Sequence, residues 1–578
     1  MKDTTLWEVS FECGNKVGGI WTVITSKAAF IHELFQDRYF TIGFYNPKRT
    51  EIVEKPVPPF LKKAFTKLEK EGIKFHFGSW VDADSANIIL VDSREFEKKN
   101  VNKIKGELWK KFELDSLHAK KDFDEPLAWS YAVGMLLKEV AKTRKKNIVQ
   151  LHEWLSGGTV LCLDGLIPTV FTTHATVLGR ATGGFSGNNA DFAAKKAKVT
   201  AKHLLEKTAA ENATVFTTVS EITSEEAHKV LGRKPDILTY NALGFDSIPD
   251  LPKLISDKAV FRREIDDFVR AYFFPYYSMN LDDYQVVYTA GRYEFMNKGY
   301  DVFIDALGEI NNRLKKEKTD KWFLSFILVP TGTLGVKDEV IQNFSVYRRM
   351  KEVLKEDAEK ISETLYRADL QDKLIEKSVG TMIMDLKQMV SKIETRKGRN
   401  PPLSAFQLSY SESQDSIIQR LKKNGLLNRP EDRVKVVFYP VYINRQDELL
   451  GLSYREFLTA ASMGVFLSRY EPWGYTPMEA AAFLSTTVTT NTAGFGRAAK
   501  SLSESKGIFS ANFAGNTVEQ VADIIENFVG SSKEIRISLE IGAHKAVKEN
   551  FVWSKLGENY SNAYKKALQH SSTSVRKS

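Results

Sequence analysis

The chain has 578 residues, 43% hydrophobic and 11% aromatic, which supplies several cores and excludes wholesale disorder. At roughly 150 residues per domain, this length predicts two large domains, or two with an insertion. Its 82 Lys and Arg against 73 Asp and Glu leave a net charge of +9. That excess suits phosphorylated small molecules or a weakly anionic partner and is too dilute to argue for nucleic acid.

Two cysteines, Cys13 and Cys162, exclude a disulfide framework and a Cys-type zinc site by count. The opening MKDTTLWEVSFEC lacks the basic-then-apolar order of a signal peptide. No apolar run approaches the roughly 20 residues of a membrane span. The expectation is a cytoplasmic protein without a membrane partner.

Short apolar runs alternate with longer amphipathic stretches: NIIL at 87–90, TVFTT at 169–173 and again at 214–218, QVVYTAGR at 285–292, FLSFILVP at 323–330, VKVVFYP at 434–440 and MGVFLSR at 463–469. Apolar strands separated by helices predict parallel sheets covered on both faces. Two such series, split near 245–285, give an α/β fold of two domains. The repeated TVFTT reads as two similar buried strands. Residues 336–425 are charged, strand-poor and periodic like long helices, and close on the Asn400-Pro401-Pro402 breaker. They read as a helical insertion, either a solvated excursion or an oligomerisation arm. The segment at 550–569 predicts an amphipathic helix, followed by a frayed tail.

Candidate chemistry concentrates in three turns. Lys16-Val17-Gly18-Gly19-Ile20 joins a strand-like run to a helix, where glycines admit a ligand and the helix N-terminus offers free N–H groups to an anion. An ordinary turn explains the same residues. The segment Gly291 to Gly299 follows a strand on the edge where open α/β sheets bind ligands. Within it, Arg292 and Lys298 suit one diphosphate, or are merely solvated charges. The third turn, Glu471-Pro472-Trp473-Gly474-Tyr475-Thr476-Pro477-Met478-Glu479, reads as a loop entering a helix capped at Thr476, with Glu479 its capping-box partner. That leaves Glu471 on the loop without a structural explanation. Most of the nine histidines lie in polar or amphipathic stretches and read as surface residues. His152 and His174 differ, because each follows an apolar run. Asp282-Asp283 reads as solvated, and nothing in the sequence argues for a bound metal.

Together these segments resemble the eukaryotic-type glycogen synthases of glycosyltransferase family 3. The resemblance rests on EVSFECGNKVGGI at 8–20, HEWL at 152–155, VFTTHATVLGR at 170–180, AGRYEFMNKGYDVF at 290–303 and SRYEPWGYTPMEA at 468–480, with TNTAGFG behind it. It implies a GT-B architecture, two Rossmann-like domains facing across a cleft. The expected domains are 1–275 on the acceptor side and 276–555 on the nucleotide-sugar side, with the insertion 336–425. Residues 556–578 would then form a helix crossing back, plus tail.

The resemblance implies retaining, metal-free and cofactor-free transfer of glucose from UDP-glucose to the 4-OH of a glycogen end, forming α-1,4 links. In that frame Arg292 and Lys298 neutralise the diphosphate, Glu471 holds the glucose hydroxyls, and His174 meets the glucose from the first domain. Lys16, Gly18, Gly19 and Arg180 would contact the donor phosphates, with Trp473, Gly474, Tyr475 and Thr476 around them. Tyr454 would stack on uracil, Glu479 reach the ribose, and Glu153 meet the acceptor. A double displacement would need a carboxylate nucleophile about 5 Å from its partner acid, and the sequence fixes no such pair. Implied partners are a homotetramer through the helical insertion and a glycogenin-like primer.

Two departures stand out. The stretch 531–550 holds only Lys533, Arg536, His544, Lys545 and Lys548 where family members carry a dense arginine helix for glucose 6-phosphate, so little or no activation is expected. Tyr439 replaces a usual histidine, which bears on the donor-base contacts. Competing readings are an ADP-glucose-dependent synthase and a catalytically silent glucan-binding subunit. A nicotinamide oxidoreductase is dropped, for want of G-x-G-x-x-G after the first strand.

Overall fold

The computed structural model describes every residue except 2, 16–18, 49–51, 81–85, 245–246, 368–378, 382, 385–386, 389–390, 392–395, 448, 503–505 and 575–578. The first half of the chain supplies β1 (Thr5–Val9), β2 (Tyr39–Phe44), β3 (Ile52–Glu54), β4 (Lys74–Trp80), β5 (Asn87–Asp92), β6 (Asn147–His152), β7 (Thr169–Thr173), β8 (Val215–Thr218) and β9 (Ile237–Leu238). They form a sheet in the order β3-β4-β5-β2-β1-β6-β7-β8-β9, parallel except where β4 pairs with β3 and β5. The two TVFTT runs are adjacent parallel strands.

The second half supplies β10 (Gln285–Ala290), β11 (Phe323–Leu328), β12 (Thr333–Val336), β13 (Phe406–Leu408), β14 (Val434–Tyr439), β15 (Met463–Val465), β16 (Thr486–Thr490) and β17 (Ile508–Ala511). Its main sheet, β14-β11-β10-β15-β16-β17, is wholly parallel. Strand side chains alternate between two buried layers, as a doubly covered sheet requires. Val286 and Tyr288 face one core, and Val287 faces the other.

The helical reading of 336–425 holds for the helix Asp338–Arg367. It does not hold for β13, which returns to pair antiparallel with β12, whereas Ser416–Lys423 is helical as read but packs back into the domain core. Buried Phe406 and Leu408 flank exposed Gln407, a strand alternation too short to register in a charged stretch. Asp282 and Asp283 are exposed, as the solvated reading has it, and the Asp283 carboxylate also accepts from the buried Arg536 guanidinium. Among the described residues, no helix is long and apolar enough to cross a membrane.

The C-terminal helix Trp553–Ser574 packs on the first sheet's side of the molecule. Tyr560, Tyr564 and Ala567 are fully buried with Leu6, Ile24 and Phe35. The two chain crossings between the sheets run side by side: Leu243 N–H donates to Phe551 O at 2.9 Å, and Trp553 N–H donates to Leu243 O at 3.1 Å. Truncating the fully buried Tyr564 ring leaves a cavity in this seam. Tyr564→Ala is expected to cost about 3 kcal/mol of unfolding free energy, read from denaturant melts; a loss under about 1 kcal/mol would show that the helix contributes little.

Candidate active site

Strands of both main sheets end on loops, and Arg292, Lys298, Glu471, Glu153 and His174 lie on loops that follow them, whereas Tyr454 and Glu479 lie in helices. After β10 the chain turns at Gly291 and runs to Gly299, where φ is +66° and an added Cβ would stand 2.0 Å from Leu467 O. Glycine is therefore required for this loop to lie against the one after β15. The two loops are zipped together. Arg469 makes a bidentate pair with Asp301 at 2.8 Å through each nitrogen, and its N–H donates to Asn297 O at 2.7 Å.

This close approach brings Lys298 Nζ to Glu471, whose Oε2 also accepts from Ser468 Oγ at 3.1 Å. Lys298, Tyr300, Ser468, Glu471, Thr476 and Pro477 line a small cavity. Glu471 is further fixed through its backbone, with its N–H on Thr492 O and its carbonyl accepting from Gly494 N–H. Arg292 stands apart, mostly exposed, with Glu294 2.9 Å away.

On the first domain, Glu153 follows β6 with φ +66°, an unfavourable backbone for a residue with a Cβ. Its buried carboxylate accepts from Ala175 N–H at 3.2 Å and from Arg180 at 3.1 Å. His174 follows β7 and meets His152 at 2.9 Å. Glu12 accepts from Trp21 N–H at 3.0 Å in the first turn of the helix Gly19–Phe35. It therefore occupies a helix N-terminus that the sequence suggested for an anion. Burial, with the Glu153 carboxylate near, pushes Glu12 up to about 7 against its backbone donors.

Lys16 and Gly18 lie outside the described residues; Gly19 opens the helix. Tyr454 and Glu479 share a region, and burial raises both groups, with Arg455 opposing the shift at Glu479. The capping reading fails. The helix spans Tyr475–Ala482, its N-cap is Gly474 at φ +108°, and no side chain caps it. Thr476 and Pro477 thus lie inside the first turn, where a missing proline N–H costs nothing.

Trp473 is buried and packs against Tyr240, Phe495 and Phe551, so its ring serves the interdomain seam. Tyr475 packs on cores of both domains. Tyr439 is fully buried against Phe406, with its hydroxyl on Asp447. His203 and His544 are buried rather than surface residues, bonded to Asp191 at 2.9 Å and to Ala482 O at 2.7 Å.

Sequence reasoning missed Glu8, Glu12, Lys27 and Tyr470. Tyr470 donates to Glu226 at 2.7 Å across the two domains, beside Arg497 on Glu225 at 2.9 Å. The available signal for Glu8 was a carboxylate within an otherwise apolar strand, TLWEV.

The family described as glycogen synthase matches residues 8–575. The chain is 32% identical to glycogen [starch] synthase of Dictyostelium discoideum, over 98% of this chain and 67% of that protein. It is 33% identical to the Homo sapiens liver glycogen [starch] synthase over 86% of this chain and 73% of that one. Against isoform 2 of Saccharomyces cerevisiae, identity is 30% over 98% and 87%. Among solved structures, the catalytic domain of Arabidopsis thaliana starch synthase IV, bound to ADP and acarbose, superposes with a TM-score of 0.53. At 12% identity, over 98% of this chain and 100% of that one, the likeness shows a shared GT-B fold.

The Glu12 carboxyl makes stability depend on pH. In the folded protein it stays protonated up to about 7, whereas an unfolded one ionises near 4.5. Its contribution to stability is therefore present below pH 4.5 and lost as pH rises through about 7. Across that window Glu12→Gln should gain stability relative to the unmodified protein, read from denaturant midpoints. A difference independent of pH would contradict the assignment.

Proposed function

This chain belongs to the glycogen synthase family of GT-B glycosyltransferases, and we propose that it transfers glucose from UDP-glucose, with retention and without a metal ion, to the 4-OH at a glycogen end. The carrying observation is the Lys298–Glu471 pair, held on the carboxyl edge of the second sheet by two interlocked loops. A leaving diphosphate needs fixed positive charge where negative charge develops. Lys298 supplies it, with Arg292, whose exposed guanidinium is available for a bidentate phosphate contact.

Glu471, presented beside Lys298 and Ser468, takes the glucose hydroxyls as hydrogen-bond acceptor. Tyr454 stacks on uracil, and Glu479, close to it, accepts from the ribose. His174 and Arg180 meet the donor from the first domain, with Glu153 toward the acceptor. The acceptor proton leaves to the departing phosphate oxygen, on the same face as the attack. The assembly is a homotetramer built through the Asp338–Arg367 helix, working in the cytoplasm and extending a glycogenin-like primer.

The assay is incorporation of labelled glucose into glycogen, with UDP-glucose and ADP-glucose in parallel and EDTA present. Label is expected from UDP-glucose alone, and Glu471→Gln should lower kcat by roughly a hundredfold or more while glycogen binding persists. Preference for ADP-glucose would overturn the uracil role of Tyr454. No label from either donor would overturn the synthase reading.

Glucose 6-phosphate is expected to activate little or not at all. Arg536 is engaged by Asp283 and the Ser531 carbonyl, Lys548 by Asp250, and His544 by Ala482 O. A several-fold activation would contradict this.

A further inference from the structure

Behind the cleft lies a buried polar chain. Glu8 sits in β1 on the same face as Leu6, fully buried. Its Oε1 is 2.6 Å from Lys27 Nζ and 2.7 Å from His152 Nε2, and its Oε2 accepts from the Tyr39 hydroxyl. His152 Nδ1 is 2.9 Å from His174 Nε2. Tyr560 of the C-terminal helix covers Lys27, its ring centre 4.2 Å from the ammonium.

The charges determine where the protons lie. Glu8 and Lys27 already cancel, so a cationic His152 would add an uncompensated charge to a fully buried site. Burial accordingly holds both histidines below their ordinary range, with Lys27 and, at His174, Arg180 adding to the effect. Burial alone would raise the Glu8 carboxyl, but Lys27 and His152 overcome it and hold it at about 2. A carboxylate only accepts, so His152 carries its proton on Nε2 and its bare Nδ1 must accept from His174 Nε2–H. His174 Nδ1 is then unprotonated, and no described residue bonds it.

We propose that Glu8 and His152 are positioning residues that lock His174 in its neutral Nε2–H form, so that its bare Nδ1 accepts a hydrogen bond from a hydroxyl of the donor sugar. This rests on the reading of the cleft as the donor site. The relay also ties His174 to the C-terminal helix, because Tyr560 closes the Lys27 end against water.

The test begins with nitrogen NMR of the full-length protein carrying labelled histidine. His174 should keep Nε2 protonated and Nδ1 bare across about pH 6 to 8, and the Nδ1 resonance should move when UDP-glucose is added. The proton positions need no turnover, so they decide the tautomer even if the donor reading fails and no transfer is seen. In the transfer assay, His152→Phe should lower kcat roughly ten- to a hundredfold with the KM for UDP-glucose within about twofold. His152→Phe/His174→Ala should be no slower than His174→Ala. A proton on His174 Nδ1, titration of His174 within that range, an Nδ1 resonance indifferent to UDP-glucose, or losses that multiply in the double variant would overturn the proposal. If His152→Phe fails to fold, the tautomer and its response to UDP-glucose decide it.

Discussion

A fully buried charge pair, Glu8 with Lys27, stands where β1, β2, β6, the helix Gly19–Phe35 and the C-terminal helix meet. Removing one partner of such a pair strands the other, at about 3–5 kcal/mol. The arrangement around it is therefore strongly constrained. Tyr39 and His152 complete the carboxylate's bonds, and the last helix of the chain must cross to the first domain to bury the ammonium. That crossing runs beside the Leu243 linker, so the packing that shelters one ion pair also joins the two halves of the molecule.

The cleft edges use the same chemistry nearer the surface. Lys298 with Glu471 on one domain and Arg180 with Glu153 on the other each set a cation against a carboxylate. Each pair is positioned by backbone that constrains the sequence: Gly299 and Gly474 in the left-handed region on one domain, Glu153 at φ +66° on the other. Backbone strain persists only where surrounding contacts fix it, as the Ala175 and Arg180 bonds do for Glu153. On the proposed reading, these preorganised pairs turn toward substrate groups with little reorganisation, which is how electrostatic stabilisation becomes effective.

Much of this was legible in the sequence. Continuous apolar runs announced parallel strands, and strand-end glycines beside Arg292, Lys298 and Glu471 announced loops at the carboxyl edge of the second sheet. Less legible were features whose partners lie far along the chain. Glu8 finds His152 across 144 positions, and Tyr470 finds Glu226 across 244; no local pattern encodes either. The Thr476 cap misled because Ser/Thr-Pro-x-Glu spacing is a local signal, whereas a sharp turn at Gly474 started the helix earlier. His203 and His544 were misread for a related reason: an amphipathic stretch does not show which polar side chain finds a buried partner. The β12–β13 ladder escaped because three-residue strands within a charged segment leave almost no periodicity.

On the proposed reading, the chain's own cations, rather than a metal, receive the donor diphosphate. Calorimetric titration of UDP into the EDTA-treated protein, beside Arg292→Ala, tests it most directly. Binding should persist in EDTA, weaken as salt rises and drop at least tenfold in Arg292→Ala, as expected for a lost bidentate phosphate contact. Binding that requires added magnesium, or that ignores the arginine, would contradict it.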